Sequence, residues 1–160
     1  MFYDHILSPL GAVLVAADDE GLRFVLLPSH GRPARPEPGW QRHATPVIKE
    51  AKRQLCAYFA GRLYEFDLPV APVGTHFQLA VWKALARVPF AATVSYGELA
   101  RRVRKPKASR AVGAACGRNP LPIVIPCHRV IGNSGALVGF GGGLTMKTRL
   151  LALEECAARL

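Results

Sequence analysis

The sequence predicts an α+β protein of two domains, an α/β domain with an antiparallel sheet over residues 1–72 and a mainly helical domain over residues 73–160. The first 28 residues hold three apolar runs rich in β-branched side chains, separated by turn residues. After residue 75, apolar side chains recur instead at helical spacing. The proline-rich stretch 69–74 separates the two patterns, so we place the domain boundary there.

The first domain is expected to begin with an antiparallel meander. Its strands are predicted at residues 2–7, 12–17 and 22–27, and an irregular loop rich in proline and glycine follows over residues 28–40. Thr45 can cap a helix that has Pro46 at its first position and ends at Gly61. A short strand is expected near residues 66–68.

The second domain reads as helices with short connections. Thr75 and Gln78 have the spacing of a capping box, and so do Ser95 and Glu98. The second box opens a short helix, and a further helix is predicted over residues 107–116, so that the pair resembles a helix-turn-helix. A short buried strand at 123–125, a hairpin or wing at 130–138 and a last helix at 144–157 complete the prediction.

The positive charge of the chain is confined to its second half. The net charge is +10, and residues 76–160 hold 13 basic and 3 acidic side chains while residues 1–75 are balanced. Such a cluster is either a solvated surface or a face that binds a polyanion, because Lys and Arg release counterions from phosphates. We favour the polyanion-binding face.

Composition excludes several classes of protein. No apolar run approaches membrane-spanning length, and the N-terminus lacks the pattern of a signal peptide, so we expect a cytosolic protein. Cys56, Cys116, Cys127 and Cys156 form no C-x-x-C pair and are expected as reduced thiols. The histidines are scattered, so we expect neither a metal nor a cofactor.

The predicted helix over 107–116 is built almost entirely of small residues. Its small side chains include Ala108, Ser109 and Ala111, and Arg110 is the long residue among them. One interpretation is tight packing between helices. The other is a helix whose backbone approaches DNA closely while a single arginine projects from it.

The sharpest local feature is Pro126-Cys127-His128-Arg129-Val130. A thiol is a good nucleophile only as the thiolate, which nearby cations and a neighbouring base favour. In an extended chain Cys127 and His128 point to opposite faces, so a bridging water would have to link them. Since Glu98 is expected to cap a helix, Glu154 or Glu155 is left to orient the histidine.

These residues resemble the active site of the methylated-DNA–protein-cysteine methyltransferases, also called O6-alkylguanine-DNA alkyltransferases. The likeness covers the whole second half of the chain and, more loosely, the first. Its blocks keep their order and spacing: Phe77-Gln78, Ser95-Tyr96-Gly97-Glu98, Ser109-Arg110-Ala111-Val112-Gly113, Arg118-Asn119-Pro120, Pro122 to Val130, and Gly142-Gly143-Leu144 with Lys147. The resemblance implies a ribonuclease-H-like first domain and a winged helix-turn-helix second domain.

The resemblance also implies a reaction and its catalytic residues. Cys127 would accept the alkyl group of O6-alkylguanine from duplex DNA once and irreversibly, with the damaged base flipped out of the helix. His128 would deprotonate Cys127 through water and Glu154 would orient His128. Tyr96 would donate a proton to the departing guanine, and Asn119 would hold the turn beside the nucleophile.

The remaining implied roles concern binding. Arg110 would fill the stack that the flipped base vacates, and the carbonyls of Cys127 and Val130 would accept from the guanine amino group. The amide of Gly141 would reach the 6-oxygen. The full expected sets are Arg110, Tyr96, Ser95, Ala108, Ser109, Ala111 and Arg129 for DNA, and Pro122, Val130, Phe140 and Gly141 for the base pocket.

Two departures from the family pattern lie in that pocket. Phe140 stands where many members carry Tyr, and Gly141 where some carry Ser. We expect a monomer. The sequence leaves open the accepted alkyl size, activity on O4-alkylthymine, cooperative binding to DNA and the role of Cys116.

Three alternatives to alkyl transfer remain. They are a lesion sensor, which would lack the nucleophilic cysteine, a helix-turn-helix regulator with a structural thiol, and a cysteine hydrolase.

Overall fold

The computed structural model describes residues 1–136, 139–140 and 142–160. The chain divides into two units, Met1–Val73 and Gly74–Leu160. The predicted α+β class is confirmed, because the larger sheet lies in the first unit and most of the helices lie in the second. None of the helices formed by the described residues has the length and apolar character needed to cross a bilayer.

The sheet of the first unit contains β1 (Phe2–Ser8), β2 (Gly11–Asp18), β3 (Gly21–Leu26) and β4 (Gln41–Arg42). Their spatial order is β3-β2-β1-β4. The first three strands pair antiparallel, as the predicted meander requires. β4 was not predicted, since it has only two residues, and it pairs in parallel with the start of β1. The central strand β2 is buried over most of its length and forms the core of this unit.

Helix α1 (Pro46–Phe59) covers the sheet and begins and ends as predicted. The Thr45 hydroxyl accepts a hydrogen bond from the amide of Ile48, and Pro46 occupies the first turn, where its missing N–H costs nothing. The buried face of α1 is formed by Ile48, Ala51, Gln54, Leu55 and Tyr58. The apolar members of this face carry the helical periodicity that predicted α1.

The strand expected near residues 66–68 is wrong. The amide and the carbonyl of Asp67 both bond to the side chain of Gln54, at 2.9 and 2.8 Å, and so are not available to a neighbouring strand. The chain meets the sheet slightly later, where Val70 forms an isolated parallel bridge with Leu22. A buried amide on α1 therefore replaces the ladder that the pattern suggested.

The second unit contains α2 (His76–Leu85), β5 (Val94–Ser95), α3 (Tyr96–Arg102), α4 (Ser109–Gly117), β6 (Val130–Ile131) and α5 (Leu144–Ala158). The capping box of Thr75 and Gln78 at the start of α2 is confirmed in both directions. At α3 the Ser95 hydroxyl caps the amide of Glu98, whereas the Glu98 carboxylate pairs with arginines in the next turn.

Helices α3 and α4 pack against each other and against α2. α4 begins two residues later than predicted, because the amide of Ala108 closes a turn onto the carbonyl of Lys105. The buried indole of Trp82 on α2 donates to the carbonyl of Ala115 on α4 at 2.9 Å. This bond ties the base of the helix-turn-helix to the opening helix of the unit.

The structure describes the start and the tip of the hairpin or wing expected over residues 130–138. β6 pairs in parallel with β5, with Val94 opposite Val130 and Ser95 opposite Ile131. A tight turn follows, in which the amide of Gly132 donates to the carbonyl of Ala136 at 2.7 Å. Residues 137 and 138 lie outside the described residues.

The strand expected at residues 123–125 is also wrong. Ile123 has a φ of +75°, and the amide of Ile125 bonds back to the carbonyl of Leu121 at 2.8 Å, so this segment is a tight loop. A short apolar run does not by itself distinguish a strand from other buried backbone. As a result Cys127 does not follow a strand but begins a single 3₁₀ turn, Cys127–Arg129.

The start of β3 gives a test of the first unit. A Cβ on Gly21, whose φ is +138°, would lie 2.4 Å from the carbonyl oxygen of Pro69, whereas one on Gly39, with a φ of +88°, meets nothing within 4 Å. We expect Gly21→Ala to lower the free energy of unfolding by about 1–3 kcal/mol more than Gly39→Ala, through overpacking. Urea denaturation measures both. Equal losses would show that backbone conformation, not contact with Pro69, requires this glycine.

Candidate active site

Cys127 is presented by a loop that Asn119 holds in place. The Asn119 side chain accepts from the amide of Leu121 at 2.9 Å and donates to the carbonyl of Ile125 at 2.8 Å. The same carbonyl accepts from the amide of Cys127, also at 2.8 Å. One amide side chain therefore spans the loop and fixes the backbone from which the thiol projects.

The thiol of Cys127 faces a cavity of about 260 Å³. Cys127 is 8% exposed, so the sulfur is accessible mainly through this space. Ligand pockets for drug-sized molecules start at roughly 300 Å³, so the cavity has room for a somewhat smaller group. Besides Cys127 it is lined by Tyr96, Gly113, Cys116, Gly117, Gly139 and Phe140.

Of the expected pocket residues that the structure describes, Phe140 is the one found in this lining. Pro122 lies in an isolated bridge with Ile125, and Val130 is buried in β6. Neither is among the residues that line the cavity. Gly141 lies outside the described residues, and its amide contact stays a prediction.

Behind Cys127, three groups meet at the carboxylate of Glu154. Nε2 of His128 lies 2.5 Å from Oε2, Arg129 donates to both oxygens at 2.8 and 3.1 Å, and the amide of Ala91 donates to Oε1 at 3.1 Å. His128 and Glu154 are fully buried. Of the two acids that the sequence left open, Glu154 is the one beside His128, because Glu155 is exposed and pairs with Arg159.

Arg129 does not fit the DNA-contact role expected for it. It is 5% exposed, and besides its bonds to Glu154 it donates to the carbonyl of Val88 at 2.7 Å. Its guanidinium also lies over the ring of Phe90, 5.6 Å from the centroid. The basic residue next to the histidine is therefore an internal counter-charge, not part of the basic surface.

The charges around Cys127 do not make it an ionised thiol in the resting protein. Burial raises its pKa, and this effect outweighs a hydrogen bond from Asn119 and the positive charge of Lys147. Burial likewise lowers the pKa of His128, against the opposing effect of Glu154. A basic neighbour does lower the thiol pKa as expected, but it is Lys147, and its effect is smaller than that of burial.

Lys147 on α5 is a buried residue of the site that the sequence reasoning missed. Its ammonium donates to the carbonyl of Val130 and, at 3.4 Å, to that of Gly139 beside the cavity. Burial lowers its pKa, although both Cys116 and Cys127 oppose this shift. The sequence did offer a signal, because residues 147, 150, 154 and 157 have the spacing of one helix face. In the structure all four are buried.

The expected DNA-binding residues, apart from Arg129, lie on or beside α3 and α4. Arg110 and Ala111 are exposed on α4, Ser109 and Ala108 are half-buried at its start, and Ser95 caps α3. The half-buried Tyr96 reaches the cavity, and burial raises its pKa. Arg110, Gly113 and Gly117 are spaced along one side of α4, so the arginine stands on the side of the helix that lines the cavity.

Comparison with known proteins identifies both units. Residues 1–72 match the family described as 6-O-methylguanine DNA methyltransferase, ribonuclease-like domain, and residues 76–156 match its DNA binding domain. A methylated-DNA–protein-cysteine methyltransferase of Methanosarcina acetivorans is 47% identical over 154 residues, which cover 96% of this chain and 98% of the relative. One from Mycobacterium tuberculosis is 45% identical and covers 98% of this chain and 93% of its own.

Solved structures agree with these sequence relatives. The chain superimposes on Mycobacterium tuberculosis OGT in complex with DNA with a TM-score of 0.89 and 42% identity, covering 98% of this chain and 94% of the other. The enzyme from Pyrococcus kodakaraensis, at 19% identity and a TM-score of 0.56, shares the fold. The chain belongs to the 6-O-methylguanine DNA methyltransferase family.

The buried carboxylate gives a test of this site. Glu154→Gln keeps the shape of the side chain but leaves the Arg129 guanidinium buried without a counter-charge. We expect the free energy of unfolding to fall by about 3–5 kcal/mol, measured by urea denaturation. The matched variant Glu155→Gln removes an exposed carboxylate and should change stability by no more than about 0.5 kcal/mol. Similar losses in the two variants would contradict the role assigned to Glu154.

Proposed function

We propose that this protein repairs DNA by transferring the alkyl group of O6-alkylguanine to the sulfur of Cys127. The observation that carries the proposal is a buried thiol that faces a base-sized cavity, with His128 and Glu154 behind it. In the reaction the sulfur attacks the alkyl carbon, a carbon–sulfur bond forms and the bond from carbon to O6 breaks. The thiol proton is transferred, by way of the site residues, to the guanine, which leaves neutral.

Proton removal from Cys127 is assigned to His128. With Nε2 turned towards Glu154, its other ring nitrogen is the basic one, and we propose that a water molecule links this nitrogen to the thiol. Because burial raises the pKa of Cys127, the thiolate forms only transiently and is poorly solvated. Reactants and products are neutral, so the buried site disfavours only the charged species between them.

Tyr96 and the backbone are proposed to handle the guanine. Since burial raises the Tyr96 pKa, its hydroxyl stays protonated and can donate to the departing base. The carbonyls of Cys127 and Val130 would accept from the guanine amino group. Each already accepts one hydrogen bond, from the amide of Val130 and from Lys147 respectively, and a carbonyl oxygen has a second lone pair for another.

The target base must leave the duplex to reach the sulfur. We propose that α4 enters the minor groove, where its small residues Ala108, Ser109 and Ala111 let the backbone come close, and that Ser95 lies near the phosphates. The exposed Arg110 would fill the gap in the base stack. The excess of basic residues in the second half of the chain supports this docking and predicts a steep loss of affinity with salt.

We further propose that the reaction occurs once for each molecule. The product is a thioether, which water does not hydrolyse, so the sulfur is not regenerated.

The two family matches support a division into domains over residues 1–72 and 73–160, and the second domain contains the proposed acceptor. We propose a cytoplasmic location, where thiols stay reduced and DNA is accessible.

Alkyl transfer is tested by intact-mass measurement. After mixing with duplex DNA that contains one O6-methylguanine, we expect the wild-type chain to gain a single methyl group, mapped to Cys127. The reason is that a thioether survives denaturation and proteolysis. Cys127→Ser should gain nothing, and a Cys156→Ser control, which removes an exposed thiol, should react like the wild type. An unchanged wild-type mass would end the proposal.

The role of Arg110 is tested by comparing two substrates. Arg110→Ala should slow reaction with methylated duplex about 10–100-fold, which corresponds to roughly 1.4–2.8 kcal/mol, because nothing fills the vacated stack. Reaction with free O6-benzylguanine should fall much less. Arg87→Ala, which removes an exposed arginine outside α3 and α4, serves as the control. Equal losses on both substrates would contradict the role in base flipping.

A further inference from the structure

Cys116 brings a second thiol to the cavity of Cys127. It lies in the last turn of α4, is buried, and lines the same space as the proposed acceptor. The alkyl-transfer mechanism assigns it no task. The remaining cysteines, Cys56 and Cys156, are both exposed.

The two thiols are connected through Asn119. Its amide N–H bonds to the carbonyl of Cys116 at 3.3 Å, and its side chain bonds to the carbonyl of Ile125, which also receives the amide of Cys127. The Asn119 side chain also acts on the Cys127 thiol directly, in the sense that lowers its pKa. A single residue therefore holds both cysteines against the cavity.

Both thiols are neutral in the resting protein. Burial, together with the nearby Cys127 sulfur, raises the pKa of Cys116 to about 12, and burial raises that of Cys127. A divalent metal requires thiolates and usually four ligands. The described residues contain no cluster of three or more histidine, cysteine or acidic side chains suited to a metal. The ligand that fits must take two neutral thiols and leave a neutral product.

Trivalent arsenic that carries one organic group meets these conditions. We propose that Cys116 and Cys127 form a dithiol site for mono-organoarsenicals, R–As(OH)₂. Two As–S bonds form and two As–O bonds break, the thiol protons leave with the hydroxyl groups as two molecules of water, and arsenic remains trivalent. Sulfur is the soft donor that such a centre prefers.

The shape of the cavity determines which organic group fits best. Phe140 and Tyr96 form aromatic walls, and the glycines of α4 leave room for a planar ring. An aryl substituent can therefore occupy the space proposed for the flipped base, while arsenic joins the two sulfurs. Bound in this way, the arsenical blocks the acceptor sulfur and the base pocket together. The site needs only the two thiols and the cavity, so it stands apart from the alkyl-transfer proposal.

The test uses phenylarsine oxide and the full-length double variant Cys56→Ser/Cys156→Ser, in which Cys116 and Cys127 are the remaining cysteines. X-ray absorption at the arsenic edge counts its sulfur neighbours, and native mass spectrometry counts bound arsenic. We expect one arsenic with two sulfur neighbours, retained in excess 2-mercaptoethanol and released by 2,3-dimercaptopropanol. One sulfur neighbour, or loss to the monothiol, would overturn the proposal.

Single-thiol variants measure the gain from having two sulfurs. In the same background, Cys116→Ser and Cys127→Ser should each weaken retention about 10²–10⁴-fold, because the second bond is no longer intramolecular. Thermal melts show whether each single-thiol variant is folded. The number of sulfur neighbours of arsenic is measured in the double variant and does not depend on these melts. Unchanged retention in a folded Cys116→Ser variant would also overturn the proposal. The experiment contains no DNA, so its failure leaves alkyl transfer untouched.

Discussion

The second unit depends on the buried carboxylate of Glu154. It receives hydrogen bonds from His128 and Arg129, which are neighbours in the turn of Cys127, and from the amide of Ala91 in a separate stretch of chain. A buried charge is tolerated only when it is paired and its oxygens are satisfied, and here both oxygens are. The same contacts that offset its desolvation fix the 3₁₀ turn of Cys127. The arrangement that makes α5 and the turn stable is therefore also the one that aims the histidine.

Burial explains why the Cys127 thiol, the proposed acceptor, would have low reactivity before a substrate binds. A thiol with a lowered pKa would react with any small electrophile, whereas that of Cys127 is raised by the absence of water around it. Its chemistry then depends on a substrate that fills the cavity and brings its carbon to the sulfur, an effect of position more than of ionisation. In the proposed reaction, selectivity for a flipped base would follow from the same feature, since a sulfur of such low accessibility is reached mainly through the cavity.

Most of the fold could be predicted from sequence where a local pattern had one solution. Turn residues between β-branched runs determine the meander, and side-chain caps such as Thr45 and Thr75 determine where helices begin. The errors fall where a side chain distant in sequence decides. Gln54 takes the backbone groups of Asp67, and Ile123 adopts a left-handed conformation in a run that looked like a strand.

The site shows the same division. The thiol, the histidine and a choice of two acids could be found from residue types, but only the packing of α5 separates Glu154 from Glu155. Arg129 looked like a surface cation because charge says nothing of burial, and Lys147 was missed for the same reason. Both are held inside by partners that lie on other segments.

The short ladder between β5 and β6 connects the proposed DNA-binding helices with the turn that carries the proposed acceptor. Its four residues place Ser95, the cap of α3, beside Ile131, just beyond the turn of Cys127, and the amide of Gly97 reaches the side chain of Asn133. A displacement of the helix-turn-helix would therefore be transmitted through these hydrogen bonds to the backbone that carries the sulfur. In the proposed complex, docking on the double helix and alignment of the acceptor would therefore occur together, so that the groove itself would take part in triggering the reaction.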